Sequence, residues 1–234
     1  MGLDIKKCVA IQTARAGSVG VPNKNTMEFG GMPLFTHPLT AAIDAKGVDD
    51  IWVSTDDEII KEWCNFDFMP VNLIERPDYL STSDASHHDV IIHALENIGE
   101  KYEYVLLLLG NSIFTTPQEI DEAISILDNT PDATSILSVM ELNMFNPHRA
   151  FTEEHGRLVP FVSGEMPKNS NDRNAFPSTY FFNGSFCLCR YNTIIEREPS
   201  MPYSWIGKNP VPFKQDFAME LDASWQIPLM RKNR

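Results

Sequence analysis

Apolar positions along this chain fall into short runs that alternate between two periods. Residues 6–14 (KKCVAIQTA), 49–57 (DDIWVSTDD), 104–109 (YVLLLL), 134–140 (TSILSVM) and 183–190 (NGSFCLCR) predict buried strands, the second ending in an acidic turn. Between them the period becomes helical. Residues 33–45 predict a helix starting near Pro38, and residues 58–65 a second. Residues 85–98 form an amphipathic helix with Val90, Ile91, Ala94, Leu95 and Ile98 on one stripe. Residues 117–128 form another, with proline in its first turn. Strands apolar on both faces, alternating with helices, predict a mainly parallel sheet covered on both sides. Ligands of such sheets bind beyond the carboxyl ends of the strands.

The rhythm breaks at residues 141–182, which are rich in Asn, Pro and polar residues, with short β-like pieces near 150–152 and 158–162. That is too long for an ordinary loop, so an insertion forming a lid or a dimer arm is expected. No repeat, low-complexity tract or linker divides the chain, and 234 residues with 43% hydrophobic content suit one core. One domain spanning 1–234 is therefore expected.

Charge narrows the partners. A formal net charge of −13 argues against nucleic acid or an anionic membrane, both of which need a basic face. No apolar run reaches the ~18–20 residues that span a bilayer, and the opening MGLDIKKCVAIQ is too short in apolar residues for a signal peptide. Cys8, Cys64, Cys187 and Cys189 lack zinc-like spacing and predict reduced core thiols in a cytoplasmic protein, with Cys187 and Cys189 on one face of a strand.

Against that acidity, residues 13–25 (TARAGSVGVPNKN) place Arg15 and Lys24 in a Gly/Ser turn directly after the first strand. Glycines let the backbone approach a polyphosphate and offer N–H groups, while the two cations neutralise it. Neither a Walker A loop nor a G-x-G-x-x-G fingerprint is present. Local composition alone equally allows a flexible turn.

The fuller pattern Ala14-Arg15-x-Gly17-Ser18-x-Gly20-x-Pro22-x-Lys24-Asn25 resembles the signature of the CMP-sugar synthetases, notably the acylneuraminate cytidylyltransferases. Later blocks follow in order: Gly31-Met-Pro-Leu34, Val53-Ser-Thr-Asp-Asp57, Arg76-Pro77 with Leu80, Ser138-Val139, Pro147-His-Arg149, Arg173 to Pro177, Asn183-Gly184 and Glu220-Leu221-Asp222. The resemblance spans essentially the whole chain. It implies an α/β fold, a Rossmann-like three-layer sandwich of the nucleotide-diphospho-sugar transferase type with a dimerisation insertion. It implies CMP transfer from CTP to the anomeric hydroxyl of a sialic-acid-like or other ulosonic acid, releasing pyrophosphate, in a homodimer.

The same resemblance assigns roles. Arg15 and Lys24 would act catalytically on the phosphates, with Ala14, Gly17, Ser18 and Asn25 completing the nucleotide loop. Arg76, Ala85 and His87 would address the cytosine. Asn111, Arg149, Arg173 and Asn183 would meet the acceptor, the two arginines across the dimer. Glu220 and Asp222 would hold Mg²⁺ (or Mn²⁺), since side chains at i and i+2 of an extended segment point the same way. His87 and His88 stand where a small hydroxyl residue is commoner, and a capping or surface role is expected for them rather than a catalytic one. Asp56 and Asp57 are expected to cap a helix.

Four positions depart from the family pattern: Val19 replaces a loop cation, Leu109 and Thr115 replace a glutamine and an arginine at the acceptor strand, and Phe181 replaces a basic residue before Asn183. These changes keep open two alternatives, a nucleotidyltransferase for another nucleotide or acceptor, and a non-catalytic binding relative.

Overall fold

The computed structural model describes residues 5–18, 20–163, 176–197 and 200–232. Among them, seven strands form one sheet in the order β11-β7-β10-β6-β1-β4-β5. In chain order, β1 is Lys6–Thr13, β2 Glu28–Phe29, β3 Met32–Pro33, β4 Asp50–Thr55 and β5 Asn72–Glu75. Then come β6 Tyr102–Leu109, β7 Ser135–Glu141, β8 Phe151–Glu154, β9 Arg157–Pro160, β10 Tyr180–Arg190 and β11 Pro210–Lys214. The helices are α1 Thr36–Asp44, α2 Glu58–Cys64, α3 His87–Ile98, α4 Pro117–Asp128, α5 Tyr191–Glu196 and α6 Gln226–Lys232.

β1 runs parallel to both β4 and β6, as the continuous apolar runs predict. β10 is the exception: it lies antiparallel between β6 and β7, so the sheet is mixed rather than mainly parallel at that side. The expected helix start near Pro38 moves to Thr36. Proline is tolerated there because the first-turn amides have no intrahelical acceptor.

Helix boundaries follow their chemistry. Ser86 caps α3 by accepting from the Asp89 amide, and Thr116 with Glu119 forms a reciprocal capping box on α4. One core lies between the sheet and α1, α2 and α4, with Phe35, Leu39, Ile60, Ile120 and Leu106 buried in it. The opposite face packs on α3 and α5 through Ile91, Leu95 and Ile194 against Val9, Ile11 and Val105. Three layers result. A third cluster joins Val21, Phe29, Leu34, Leu221 and Met230, which ties the loop after β1 to the segment near the carboxyl terminus.

All four cysteines are free and buried, and the sulfurs of Cys187 and Cys189 lie 3.5 Å apart on one face of β10. Part of the expected insertion forms the β8–β9 hairpin, with its two strands slightly shifted from the expected β-like pieces. Its base is tied to the approach to β10 by Asn146, which donates to the Pro177 carbonyl and to Thr179 Oγ1. Among the described residues, no helix is long and apolar enough to cross a membrane.

Candidate active site

A cleft of about 390 Å³ opens beyond the carboxyl ends of β1 and β6, where a parallel sheet leaves room for a ligand. Its walls carry Ala14, Arg15, Ser18, Lys24, Asn25, Arg76, Ala85, His87, Asn111 and Glu220. Most of the expected site residues, distant in sequence, thus share one space.

The loop after β1 is braced from several sides. The Ala14 amide donates to the Ser54 carbonyl, and the Ala16 amide to Asp56 Oδ1 at 2.8 Å. Asn25 is buried and donates to the Arg15 carbonyl at 3.1 Å. Arg15 curls over its own turn, with Nη1 near the carbonyls of Ala16 and Gly17. Gly17 therefore shapes the turn, while Ser18 faces the cleft. A Cβ at Gly20 would collide with the carbonyl oxygen of Asp222, so only glycine lets the loop press against the acidic segment.

That segment is held in place by Asn111. The Leu221 amide donates to the Asn111 carbonyl at 2.8 Å. The Asn111 side-chain amide sits 3.3 Å from Glu220 Oε2, 3.3 Å from the Leu221 carbonyl and 3.4 Å from Asp222 Oδ1. Lys24 Nζ makes an ion pair with Asp222 Oδ1 at 2.6 Å. Burial and the nearby Asp222 charge push the Glu220 carboxyl above the usual carboxylate range, against the pull of Asn111 and Lys24. Two hard carboxylates, crowded and only partly neutralised, fit a divalent cation whose remaining positions a substrate and water would fill. Among the described residues, no larger cluster of His, Cys, Asp or Glu side chains is gathered to hold a metal. The acidic pair supplies two ligands at most.

At the other end of the cleft, Arg76 is buried, with Nη2 donating to the Ser54 carbonyl at 2.6 Å and Nε to Ser54 Oγ at 3.3 Å. Burial lowers its pKa to about 10, with Asp56 opposing and Arg15 reinforcing the shift. His87 shares a 2.9 Å hydrogen bond with Thr13 Oγ1, and its ring meets Trp205 edge-on at 4.8 Å. Burial, then Arg76 and His88, lower its pKa to about 4, so the ring is neutral at pH 7. Ser86 caps the helix instead, which corrects the expected capping or surface role of His87. His88 is buried, bonded to Ser204 Oγ and the Ile194 carbonyl at 2.8 Å each.

Other expected residues lie elsewhere. Asn183 is buried in β10, where Oδ1 accepts from Ser138 Oγ and the Ser185 amide while Nδ2 donates to Gln215. Its hydrogen-bonding groups are engaged with the protein. Arg149 is exposed on a turn before the hairpin, apart from the cleft of its own chain. Arg173 and Val19 lie outside the described residues. Of the other departures, Leu109 lines the cleft, Thr115 donates to the Ser185 carbonyl, and Phe181 is partly exposed. The reading from sequence gave no role to Thr13 and missed the close approach of Gly20 to Asp222 and the bracing role of Asp56; the V-S-T-D-D block was the available signal for the last.

The sequence pattern of the family described as cytidylyltransferase matches residues 9–157. The chain belongs to the cytidylyltransferase family. It is 29% identical over 206 residues to the CMP-N,N'-diacetyllegionaminic acid synthase of Legionella pneumophila, covering 84% of this chain and 85% of that one. It is 26% identical over 194 residues to the N-acylneuraminate cytidylyltransferase of Streptococcus agalactiae serotype V, covering 82% of this chain. This chain spans 45% of that relative's length. Its fold is similar to that of a CMP:2-keto-3-deoxy-manno-octonic acid synthetase complexed with CTP, at TM-score 0.69 and 15% identity, covering 97% and 98% of the two chains. A 4-diphosphocytidyl-2C-methyl-D-erythritol synthase from Anaerococcus prevotii is similar at TM-score 0.62 and 13% identity, covering 97% and 96%. The α/β nucleotidyltransferase fold follows from these likenesses.

Proposed function

We propose that this cytidylyltransferase transfers CMP from CTP to the anomeric hydroxyl of an acidic sugar of the ulosonic class, such as a sialic or legionaminic acid, releasing pyrophosphate. One observation carries this reading: Arg15, Lys24 and Glu220 line a single cleft, and Lys24 is ion-paired with Asp222 beside it. The acceptor oxygen would form a bond to the α-phosphorus as the bond to the pyrophosphate oxygen breaks, so charge grows on the leaving side. Ser18, the loop amides, Arg15 and Lys24 would take that charge. Arg76 holds three further N–H groups beyond its bonds to Ser54, and these, with Ala85 and neutral His87, form the proposed base end.

Mg²⁺ (or Mn²⁺) bound by Glu220 and Asp222 would supply positive charge to phosphate oxygens. Asn111 keeps the two carboxylates aligned. We assign the acceptor end to Asn111 and Leu109, with Arg149 and Arg173 contributed from a second copy in a homodimer. The names of the two relatives, each a synthetase or transferase for an acidic sugar, support the substrate class. Four buried free thiols support a reducing, cytoplasmic setting.

The test is direct. Purified protein with CTP, Mg²⁺ and a panel of ulosonic acids should release pyrophosphate with at least one acid, and CTP should raise its melting temperature more than UTP, GTP or ATP. Silence with every acid and nucleotide would overturn the proposal.

A further inference from the structure

Lys24 and Asp222 carry opposite assignments in the proposed reaction, one to phosphate and the other to a divalent cation, yet in the free protein they are bonded to each other. Their separation is 2.6 Å, and the Lys24 side chain is only 19% exposed. A carboxylate oxygen engaged by an ammonium at that distance has less charge to offer a metal ion, and the ammonium has less to offer a phosphate. Arg15 does not engage Asp222, because its guanidinium lies on the carbonyls of Ala16 and Gly17.

We propose that Lys24 is an internal counter-ion that stands in for the divalent cation at Asp222, that the cation displaces it there, and that the nucleotide's phosphates then engage the freed ammonium. The idea rests on the assignment of Glu220 and Asp222 to the cation. The surrounding backbone favours an exchange made by one side chain. Gly20 abuts the Asp222 carbonyl, Leu221 is bonded to Asn111, and Val21 packs with Leu221 in one apolar cluster. Loop and acidic segment therefore move as one body, while the flexible four-carbon stem of Lys24 can swing from carboxylate to phosphate.

A distinctive consequence follows. Removing Lys24 should weaken nucleotide binding and strengthen binding of the bare cation, whereas a lysine serving phosphate alone would leave the cation unaffected. The experiment is an electron paramagnetic resonance titration of Mn²⁺ at pH 8 without nucleotide. Lys24→Gln should bind Mn²⁺ about five- to tenfold more tightly than the wild-type chain, the scale of one partly exposed ion pair. Lys24→Arg should stay near wild type, and Asp222→Asn should lose most of the binding. Equal or weaker Mn²⁺ binding by a Lys24→Gln protein with a native melting transition overturns the exchange.

A second measurement needs no variant. Acylation of Lys24 by an amine-reactive reagent, read by mass spectrometry, should rise when Mn²⁺ is added without nucleotide; unchanged labelling overturns the exchange. Wild-type pyrophosphate release alongside a negative Mn²⁺ result would sink the exchange alone. A chain that neither binds Mn²⁺ nor releases pyrophosphate would sink the catalytic assignment as well.

Discussion

Asp56 and Asp57 sit side by side at the end of β4 and do unrelated work. Asp57 caps α2 by accepting from the Ile59 and Ile60 amides, while Asp56 reaches across to the Ala16 amide and fixes the cationic loop. Replacing Asp57 with Ala should therefore cost about 1 kcal/mol of stability in a denaturant titration, with little change in CTP affinity. His87 gives a sharper test at the same scale. Its pKa falls from 6.5 to about 4 in the folded protein, so between those values the unfolded chain binds the proton and the native one does not. Stability from this residue is present above pH 6.5 and is lost as pH falls towards 4. Between pH 7 and pH 5 the loss should be about 2 kcal/mol. Urea unfolding at the two pH values should show that loss, and His87→Gln should flatten the difference; an unchanged pH slope in the variant would refute the assignment.

At the scale of elements, β10 carries the most consequence. Its pairing with β7 shifts between Phe182 and Cys187, and Gly184 adopts φ +76° within that irregularity. A Cβ there would lie 2.7 Å from the Glu220 Cβ. Gly184→Ala should thus cost roughly 1–3 kcal/mol and displace Glu220, lowering Mn²⁺ affinity as well as the unfolding midpoint. A variant of wild-type stability and Mn²⁺ affinity would show that this close fit is dispensable. Asn183 and Gly184 were legible in the sequence as a pair, but not their role beneath the acidic residue, because a bulge leaves no periodic signal. The buried strands and capped helices were legible because apolar runs and cap residues are local. The short edge strands were not. β5 is only four residues long, exposed at both ends and covered in the middle, and β11 carries Pro210 and Pro212, which only an edge strand tolerates. The direction of β10 was equally hidden, since β10 is as apolar as the parallel strands of the same sheet. In the site, Arg15, Lys24, Glu220 and Asp222 were legible through the family pattern. The contacts joining them depend on Asn111 and Gly20, whose long-range partners no local pattern reveals.

At the scale of the whole molecule, the described part of the insertion carries a group of uncovered apolar side chains. Phe151, Leu158 and Phe161 on and beside the hairpin are exposed, as are Met144 and Phe145 just before it. Exposed apolar side chains gathered in this way mark an interaction surface. The same segment carries Arg149, away from the cleft of its own chain, which a second copy could bring to the acceptor end. Dimerisation through the insertion would cover the patch and complete the site in one step. Sedimentation velocity should accordingly show a dimer for the wild-type chain and a monomer for the double variant Phe151→Lys with Leu158→Lys. That variant should keep its CTP-dependent rise in melting temperature, because the nucleotide loop, Arg76 and the acidic pair all belong to one chain, while losing at least tenfold in acceptor-dependent pyrophosphate release. A wild-type monomer with full activity, or a double variant that stays dimeric, would remove the insertion from the assembly and leave Arg149 without a route to the substrate.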